Sequence, residues 1–381
     1  MRFIHTSDWH LGRSFHGLSL LEDQARMLDY LITLCQEKKI DVLLIAGDIY
    51  DRAVPPTEAV RLLNKTLEKL VLELHIPVIL IAGNHDNPDR LNFGQALFAQ
   101  SGLYIYSTPT CTSEPICLTD QWGPVYFAPL TYCEPLTASE LAGEKITSHQ
   151  EALAWQIEEM LKQIPPAARK VALSHAFVTG AKPTPDSERP LSIGGSTTVD
   201  LELYKDFNYT ALGHLHAAQK CSSKVRYCGS LLKYSFAEAT QKKTLQLVDL
   251  QADGEIAVED LPLAPYHDLV RLKGSFEELL AVDPTLHEND YLQITLTDKA
   301  PILDAKHKLE KVYPLLLELT YERLQLAEGE LELHAAKEKE RTTKELFQGF
   351  FTALEDRALT KDEDKLLQAA LEDLQQEGRE I

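Results

Sequence analysis

The chain has no apolar run near the 18 or so residues that a membrane-spanning helix needs. Its longest, around Ile76 to Ala82, is the length of a strand. Six cysteines, Cys35, Cys111, Cys117, Cys133, Cys221 and Cys228, include no C-x-x-C pair and no framework spacing. That pattern argues against zinc-ribbon and redox-motif readings and predicts reduced thiols. Positive charge is scarce: 38 Lys and Arg face 58 Asp and Glu, a formal net charge of -20. Such a molecule repels polyanions as a whole, so a polybasic binder is excluded. Any contact with nucleic acid must use a local basic patch, a bound divalent metal or a partner subunit. No internal repeat is visible. The start, Met1 to Asp8, runs into a strand without the basic and apolar regions of a secretory signal,. A soluble, cytoplasmic protein with no membrane segment is expected.

What is present is enough for more than one domain: 381 residues, 44% hydrophobic and 25% charged,. Five β-rich runs stop at a small or polar residue and then present metal-ligand side chains. Arg2-Phe3-Ile4 leads to Asp8 and His10, Val42 to Gly47 leads to Asp48, and Val78 to Gly83 leads to Asn84, His85 and Asp86. Val171 to Ser174 leads to His175, and Tyr209 to Gly213 leads to His214 and His216. These read as buried strands of one sheet with polar loops at their C-terminal ends, where open α/β sheets place ligands. Helix-period stretches lie between them at Leu20 to Lys38, Pro56 to Leu74 and His149 to Gln163,. The alternation predicts an α/β fold.

The character changes near Pro262 and Pro265, which mark a linker,. Strands over His267 to Leu272, Tyr291 to Leu296 and Pro314 to Tyr321, with helices over Phe276 to Leu280 and Pro301 to Lys311, predict a small α+β unit. Two amphipathic helical stretches follow. One carries Leu346, Phe347, Phe350, Phe351 and Leu354, the other Leu366, Leu367, Leu371 and Leu374. A tethered hairpin cannot bury both stripes alone, which leaves packing on its own body or docking to another protein. The predicted domains are 1–263, 264–330 and 331–381.

Each polar residue taken alone has an ordinary explanation as a cap, a turn residue or a satisfied histidine. The ordered set, D-x-H, G-D, G-N-H-D, S-H and G-H-x-H, does not. It offers the carboxylates of Asp8 and Asp48, the amide of Asn84 and the imidazoles of His10, His175, His214 and His216, enough for two adjacent metals. Oxygen and imidazole ligation without thiolate suits manganese, iron, zinc or magnesium, with manganese favoured over a closed structural zinc site. Asp48, the lone carboxylate after the second run, is the natural bridge. Two divalent ions less two carboxylates leave about +2, which holds a phosphodiester on an otherwise acidic chain and readies a water for in-line attack. His85 suits proton donation to the leaving oxygen or stabilisation of the pentavalent phosphorus, with Asp51 or Asp86 as its partner.

At these residues the chain resembles the calcineurin-like metallophosphoesterase superfamily, whose motifs stand here in their usual order. His5 to Gly12, Gly47 to Asp51, Gly83 to Asp86, Ser187 to Ser192 with Gly194-Gly195, Ala211 to His216 and Arg226 to Ser230 resemble the SbcD-type nuclease subunits within it. The resemblance implies a metallophosphoesterase sandwich of mixed β-sheets flanked by helices, a DNA-capping α+β domain and a C-terminal helical arm. It implies two Mn2+ ions, with Mg2+ as a substitute: one held by Asp8, His10, Asp48 and His216, the other by Asp48, Asn84, His175 and His214, with His85 catalytic and not a ligand. It also implies manganese-dependent double-strand exonuclease and single-strand endonuclease activity, and a homodimer within a heterotetramer with an SbcC-like coiled-coil ATPase. That partner is gripped by the arm through Leu346, Phe347, Phe350, Phe351, Leu354, Leu366 and Leu371. A homodimer contact is expected on apolar helical surface such as Pro56 to Leu74.

The chain departs from its relatives at Asp51 or Arg52, where archaeal and eukaryotic members carry a histidine, and at Cys228 and Leu231 within R-Y-S-G-S-P. Candidates for DNA contact are Arg13, Arg52, Arg90, Lys182, Arg189 and Lys233, all near motif loops,. The rival functions are a stand-alone phosphatase or small-molecule phosphodiesterase on the same site, and a non-catalytic scaffold.

Overall fold

A computed structural model of the chain describes residues 1–109, 114–185, 187–188, 197–322, 343–355 and 357–376. These residues form two compact units, Met1–Leu269 and Val270–Ile381.

In the first unit β1 (Arg2–Thr6), β2 (Val42–Ala46), β3 (Val78–Ile81) and β4 (Leu103–Tyr106) run parallel. Their connections include α1 (Leu21–Lys38) and α2 (Thr57–Glu68). α1 forms because Met27, Leu28, Leu31, Ile32 and Cys35 recur at helical spacing and are all buried,. It stops where Lys39 turns left-handed at φ 50°. α2 runs on into a π turn at Lys69–Glu73 before the chain enters β3.

A second sheet is built from β5 (Ile116–Asp120), β6 (Gly123–Leu130), β7 (Arg169–His175), β8 (Tyr209–Gly213), β9 (Gln219–Lys220) and β10 (Val225–Tyr227), in the order β9-β10-β8-β7-β6-β5. α3 (His149–Leu161) packs Leu153, Ile157 and Met160 against its outer face. The chain then returns to the first sheet through β11 (Thr244–Leu250) and β12 (Ile256–Pro262), giving the order β12-β11-β1-β2-β3-β4 with β11 antiparallel to β1. The five ligand-bearing runs therefore do not share one sheet, as their common pattern had suggested. β1, β2 and β3 belong to one, β7 and β8 to the other.

Between the sheets lies a single apolar layer. Phe3, Val42, Leu44, Ile79 and Ile81 meet Phe127, Val171, Leu173, Tyr209 and Ala211, all fully buried. Side chains buried to this degree contribute about 1.5–3 kcal/mol each for the larger aliphatic and aromatic ones, so the sandwich is a stiff base. Register carries that stiffness to the strand ends. Thr6 pairs with Ile45, Ala46 with Ile81 and His175 with Gly213, so the ligand loops leave both sheets at the same edge.

The second unit holds a three-stranded sheet, β13 (Leu269–Gly274), β14 (Tyr291–Leu296) and β15 (Leu316–Tyr321), with α4 (Phe276–Ala281) and α5 (Ala305–Glu310). Its core is Leu279, Leu292, Ile294, Leu296, Leu309, Tyr313 and Leu316. α4 starts at a capping box in which Ser275 and Glu278 bond each other's backbone N–H,. α5 begins later than its sequence pattern predicts because Asp304 is left-handed at φ 55°. The unit continues with α6 (Thr343–Glu355) and α7 (Lys361–Gln376). No helix among the described residues is long and apolar enough to cross a membrane.

Candidate metal centre

The polar loops after β1, β2, β3, β7 and β8 bring Asp8, His10, Asp48, Asn84, His85, His175, His214 and His216 into one cluster. Relative exposure is 0% for Asp8, 1% for His10, 2% for Asp48, His175 and His216, and 5% for His214. Burying so many polar groups is costly unless something satisfies them. The backbone is also held in uncommon conformations: φ is 52° at Asp8, 45° at His10, 51° at Asp48 and 105° at His214. Non-glycine residues there cost about 1–3 kcal/mol each and persist only when the surroundings impose them. Here the imposing contacts are main-chain bonds from Asp8 N to Gly47 O and from His10 N to Asp48 O, both 3.0 Å.

Two glycines let the loops approach this closely. A Cβ on Gly83 would stand 2.2 Å from Asp48 Oδ1, and one on Gly213 would stand 1.8 Å from the carbonyl oxygen of Ala46. The glycine that precedes the ligand in G-N-H-D is thus a packing requirement between neighbouring loops of the first sheet, and the one in G-H-x-H a packing requirement where the two sheets meet,.

Donor atoms converge in pairs. His10 Nε2 lies 3.1 Å from His216 Nε2, and His175 Nε2 lies 3.0 Å from Asn84 Oδ1. Asp48 Oδ2 stands between the pairs, 3.6 Å from His10 Nε2 and 3.5 Å from His175 Nε2. Donors at roughly 2.1 Å from one ion stand about 3 Å apart when set at right angles, and that is the spacing seen. Asp8, His10 and His216 form one such group, Asp8, Asp48 and His175 another, and His10, Asp51 and His85 a third. His214 stands beside His175 at 5.5 Å between ring centres, and its backbone N–H donates to the Asp8 carboxylate at 3.0 Å. The donor set therefore fits a binuclear metal site, with Asp48 placed to serve both halves.

The electrostatics agree. Burial, then His216 and His85, push the His10 imidazole well below its ordinary value; burial lowers His175 against the charge of Asp48, and it takes His214 down to about 3. These rings are therefore neutral near pH 7 and keep a lone pair for a cation. Burial and the charge of Asp48 push the Asp8 carboxyl up. Burial also opposes the charge of Asp48, but His175 and His85 hold it below the usual carboxylate range.

His85 is placed differently. Its Nδ1 is 2.9 Å from the backbone oxygen of Asp51, which leaves Nε2 directed inward, 3.9 Å from Asp48 Oδ2. Neither carboxylate foreseen as its partner fills that role. The Asp51 carboxylate accepts from Arg13 Nη1 at 2.9 Å. Asp86 accepts the backbone N–H groups of Ile49, Tyr50 and Gly83 at 2.9–3.0 Å and so ties the second loop to the third.

Several residues without a motif support the ligands. His216 Nδ1 lies 2.9 Å from Glu238 Oε1, whose other oxygen is 2.5 Å from Lys243 Nζ, and His175 Nδ1 lies 2.9 Å from the carbonyl oxygen of Ala46. An isolated acid and base in a connecting loop have no periodicity, so the sequence offered no signal for Glu238 or Lys243. Cys228 and Leu231, two of the departures, are buried behind Asp8. Cys228 Sγ is 3.1 Å from Ser7 Oγ, which also donates to the Asp8 carboxylate, and Leu231 N reaches the main-chain oxygen of Asp8 at 3.5 Å.

Of the basic residues proposed for DNA contact, Arg52, Arg90 and Lys182 are exposed. Lys233 is buried, and its Nζ is bound to Ala239 O at 2.7 Å and Asp268 Oδ1 at 2.8 Å, so it cannot reach a ligand. Arg13 is committed to Asp51 and lies over the ring of Tyr234. Arg189 lies outside the described residues. In the terminal helices Phe347 is 44% exposed and Leu366 71%, while Phe351 and Leu371 are half-buried. The side chains of Leu346, Phe350 and Leu354 lie outside the described set.

Comparison with known proteins matches residues 1–218 to the family described as calcineurin-like phosphoesterase, more than half of the chain. Residues 265–355 match SbcD_C, described as the Type 5 capsule protein repressor C-terminal domain. A solved structure, that of TT1561 from Thermus thermophilus, aligns with 68% of this chain and 98% of its own at 13% identity and a TM-score of 0.41.

Proposed function

The chain belongs to the calcineurin-like phosphoesterase family and is of SbcD type, and from that premise we propose that it is the nuclease subunit of an SbcCD-like complex. The proposed activity is manganese-dependent exonuclease action on double-stranded DNA and endonuclease action on single strands, with magnesium as a substitute. The observation that carries the phosphodiesterase reading is the convergence of paired donors on Asp48 with His85 Nε2 directed at the same point. The SbcD_C match over residues 265–355 supports DNA as the substrate.

In this reading Asp8, His10 and His216 would hold one ion, and Asn84, His175 and His214 the other, with Asp48 available to both. When bound there, divalent cations would supply charge neutralisation at phosphorus and lower the pKa of water. The Nδ1–H of His85 donates a hydrogen bond to the Asp51 carbonyl, which fixes the ring; from the imidazolium form, Nε2–H would pass its proton to the departing sugar oxygen and leave a neutral ring protonated at Nδ1,. Arg52, Arg90 and Lys182 are the remaining candidates for phosphate contact on the exposed surface,.

The proposed partners are DNA, a coiled-coil ATPase of SbcC type held by α6 and α7, and a second copy of this chain, in the cytoplasm. An apolar cleft of about 930 Å³ lined by Val60, Leu63, Leu67, Val71 and Phe93 supports the homodimer, and Phe93 is 81% exposed beside it,. The deciding experiment compares rates on linear duplex and single-stranded DNA with rates on phosphate monoesters, using manganese-loaded protein with and without the ATPase. Cleavage of DNA far above monoester hydrolysis is expected. A faster monoesterase would establish the small-substrate phosphatase instead.

A further inference from the structure

We propose that Glu238, neutralised by Lys243, is a positioning residue that fixes the ring and main chain of His216 and makes the half of the centre containing His216 the tighter metal site. The inference rests on the two-ion reading above and assigns a role to residues outside the ligand set.

His216 has two ring nitrogens with different company. Nε2 faces His10 Nε2 at 3.1 Å, inside the donor cluster, and Nδ1 faces Glu238 Oε1 at 2.9 Å. An ionised carboxylate only accepts, so Nδ1 carries the proton and Nε2 turns its lone pair to the site. The other ligands differ. His175 gives its Nδ1 to a neutral carbonyl, that of Ala46. His10 Nδ1 has no hydrogen-bond partner among the described residues, the Asp51 carboxylate being 3.8 Å away. A carboxylate behind an imidazole raises its basicity as a ligand more than a carbonyl does.

The main chain of the same residue is held too. Lys243 Nζ donates to the carbonyl oxygen of His216 and to Ser230 Oγ, both at 2.8 Å, while Glu188 Oε1 accepts from His216 N at 2.9 Å. Ser187 Oγ adds a bond to Glu238 Oε1 at 2.7 Å. Glu238 is 0% and Lys243 3% exposed. An ion pair this deeply buried is poorly explained by stability, because apolar residues of the same volume commonly do as well. Orientation of a ligand explains it.

The test is Mn2+ titration of the full-length chain, read by calorimetry and by the manganese resonance spectrum. The wild type should take up two ions and show a spin-coupled pair. Glu238→Gln, which keeps the shape and removes the charge, should weaken one step about 10–100-fold and leave the other unchanged. At a concentration that fills both wild-type sites it should show isolated manganese, with nuclease activity recovering in excess metal. Because this variant strands the Lys243 charge, Glu238→Gln with Lys243→Met provides a neutral interior and should show the same selective loss. Two unchanged steps in both variants overturn the inference alone, as does equal weakening of both steps or loss of folding in both. A wild type that binds fewer than two ions overturns the two-ion reading and the inference with it.

Discussion

The metal centre and the terminal helices break the ordinary partition of side chains in opposite directions. At the strand ends polar groups are buried, with six of the ligands at 5% exposure or less. In α6 and α7 apolar groups stay wet, with Phe347 44% and Leu366 71% exposed. Buried polar groups and exposed large apolar ones are the informative departures in a folded chain, and each here points to an absent companion. Paired lone pairs 3 Å apart ask for cations. An apolar stripe asks for another surface; among the described side chains, α6 and α7 are joined by Lys344 with Asp364 at 3.0 Å and Gln348 with Asp364 at 2.8 Å. On the proposed function, catalysis and assembly rest on separate parts of the chain, which can be tested by damaging one and watching the other.

The largest effect is expected at Asp48. Asp48→Ala removes the carboxylate that stands between both donor pairs, so both ions should weaken and hydrolysis should fall by several kcal/mol of barrier, about 10³-fold or more. Metal analysis beside a rate assay checks it, and ATPase binding should be unchanged. Full activity with two ions retained would make Asp48 a turn residue and dissolve the centre as described. His85→Leu comes next. In the proposed reading its Nε2 faces the site as the proton donor and not as a ligand, so metal and DNA binding should survive while turnover drops by roughly 10²-fold,. Metal lost in step with rate would show His85 to be a ligand.

Smaller still is the effect of filling the gap between the sheets. Gly213→Ala places a methyl 1.8 Å from the Ala46 carbonyl oxygen, and a rigid backbone cannot yield. A loss of about 1–3 kcal/mol in stability is expected by chemical denaturation, with weaker metal retention through displacement of His214. An unchanged unfolding midpoint would mean that the strand ends are more compliant than their shared core implies.

How far this was legible follows from the same residues. Asp8, Asp48, Asn84, His175 and His214 each stand within a few residues of the end of a β-run, so a local pattern identified them. The division into two sheets was not legible, because β1 to β3 and β7 to β8 are all buried, near-continuous apolar runs and nothing within a run names its neighbour. Lys233 was misjudged for a related reason: nearness to a motif loop says nothing about which way a side chain points, and Asp268 turns this one inward. Glu238 and Lys243 left no trace, being single charges whose burial only the tertiary structure reveals. The terminal helices, Thr343–Glu355 and Lys361–Gln376, were readable as helices, since their stripes have helical period,.

The smallest expected effect on the chain itself falls on those helices, and it sharpens the contrast most. Phe347→Asp with Leu366→Asp replaces two exposed apolar side chains by solvated charge. Surface substitutions away from a packed contact move stability by less than about 0.5 kcal/mol. The metal content, the rate on single-stranded DNA and the unfolding midpoint should therefore match the wild type. Docking of an apolar helix face into a groove depends on a few central anchors, and a charge placed there must be desolvated without a partner. Capture of the SbcC-type ATPase should consequently fall by an order of magnitude or more, and ATP-dependent cleavage of duplex ends should fall with it. Pull-down against the full-length ATPase, alongside nuclease assays with and without ATP, separates the outcomes. Undiminished capture with a lowered unfolding midpoint would mean that the stripes pack on the chain's own body, and the exposed apolar face would no longer mark a place for another protein.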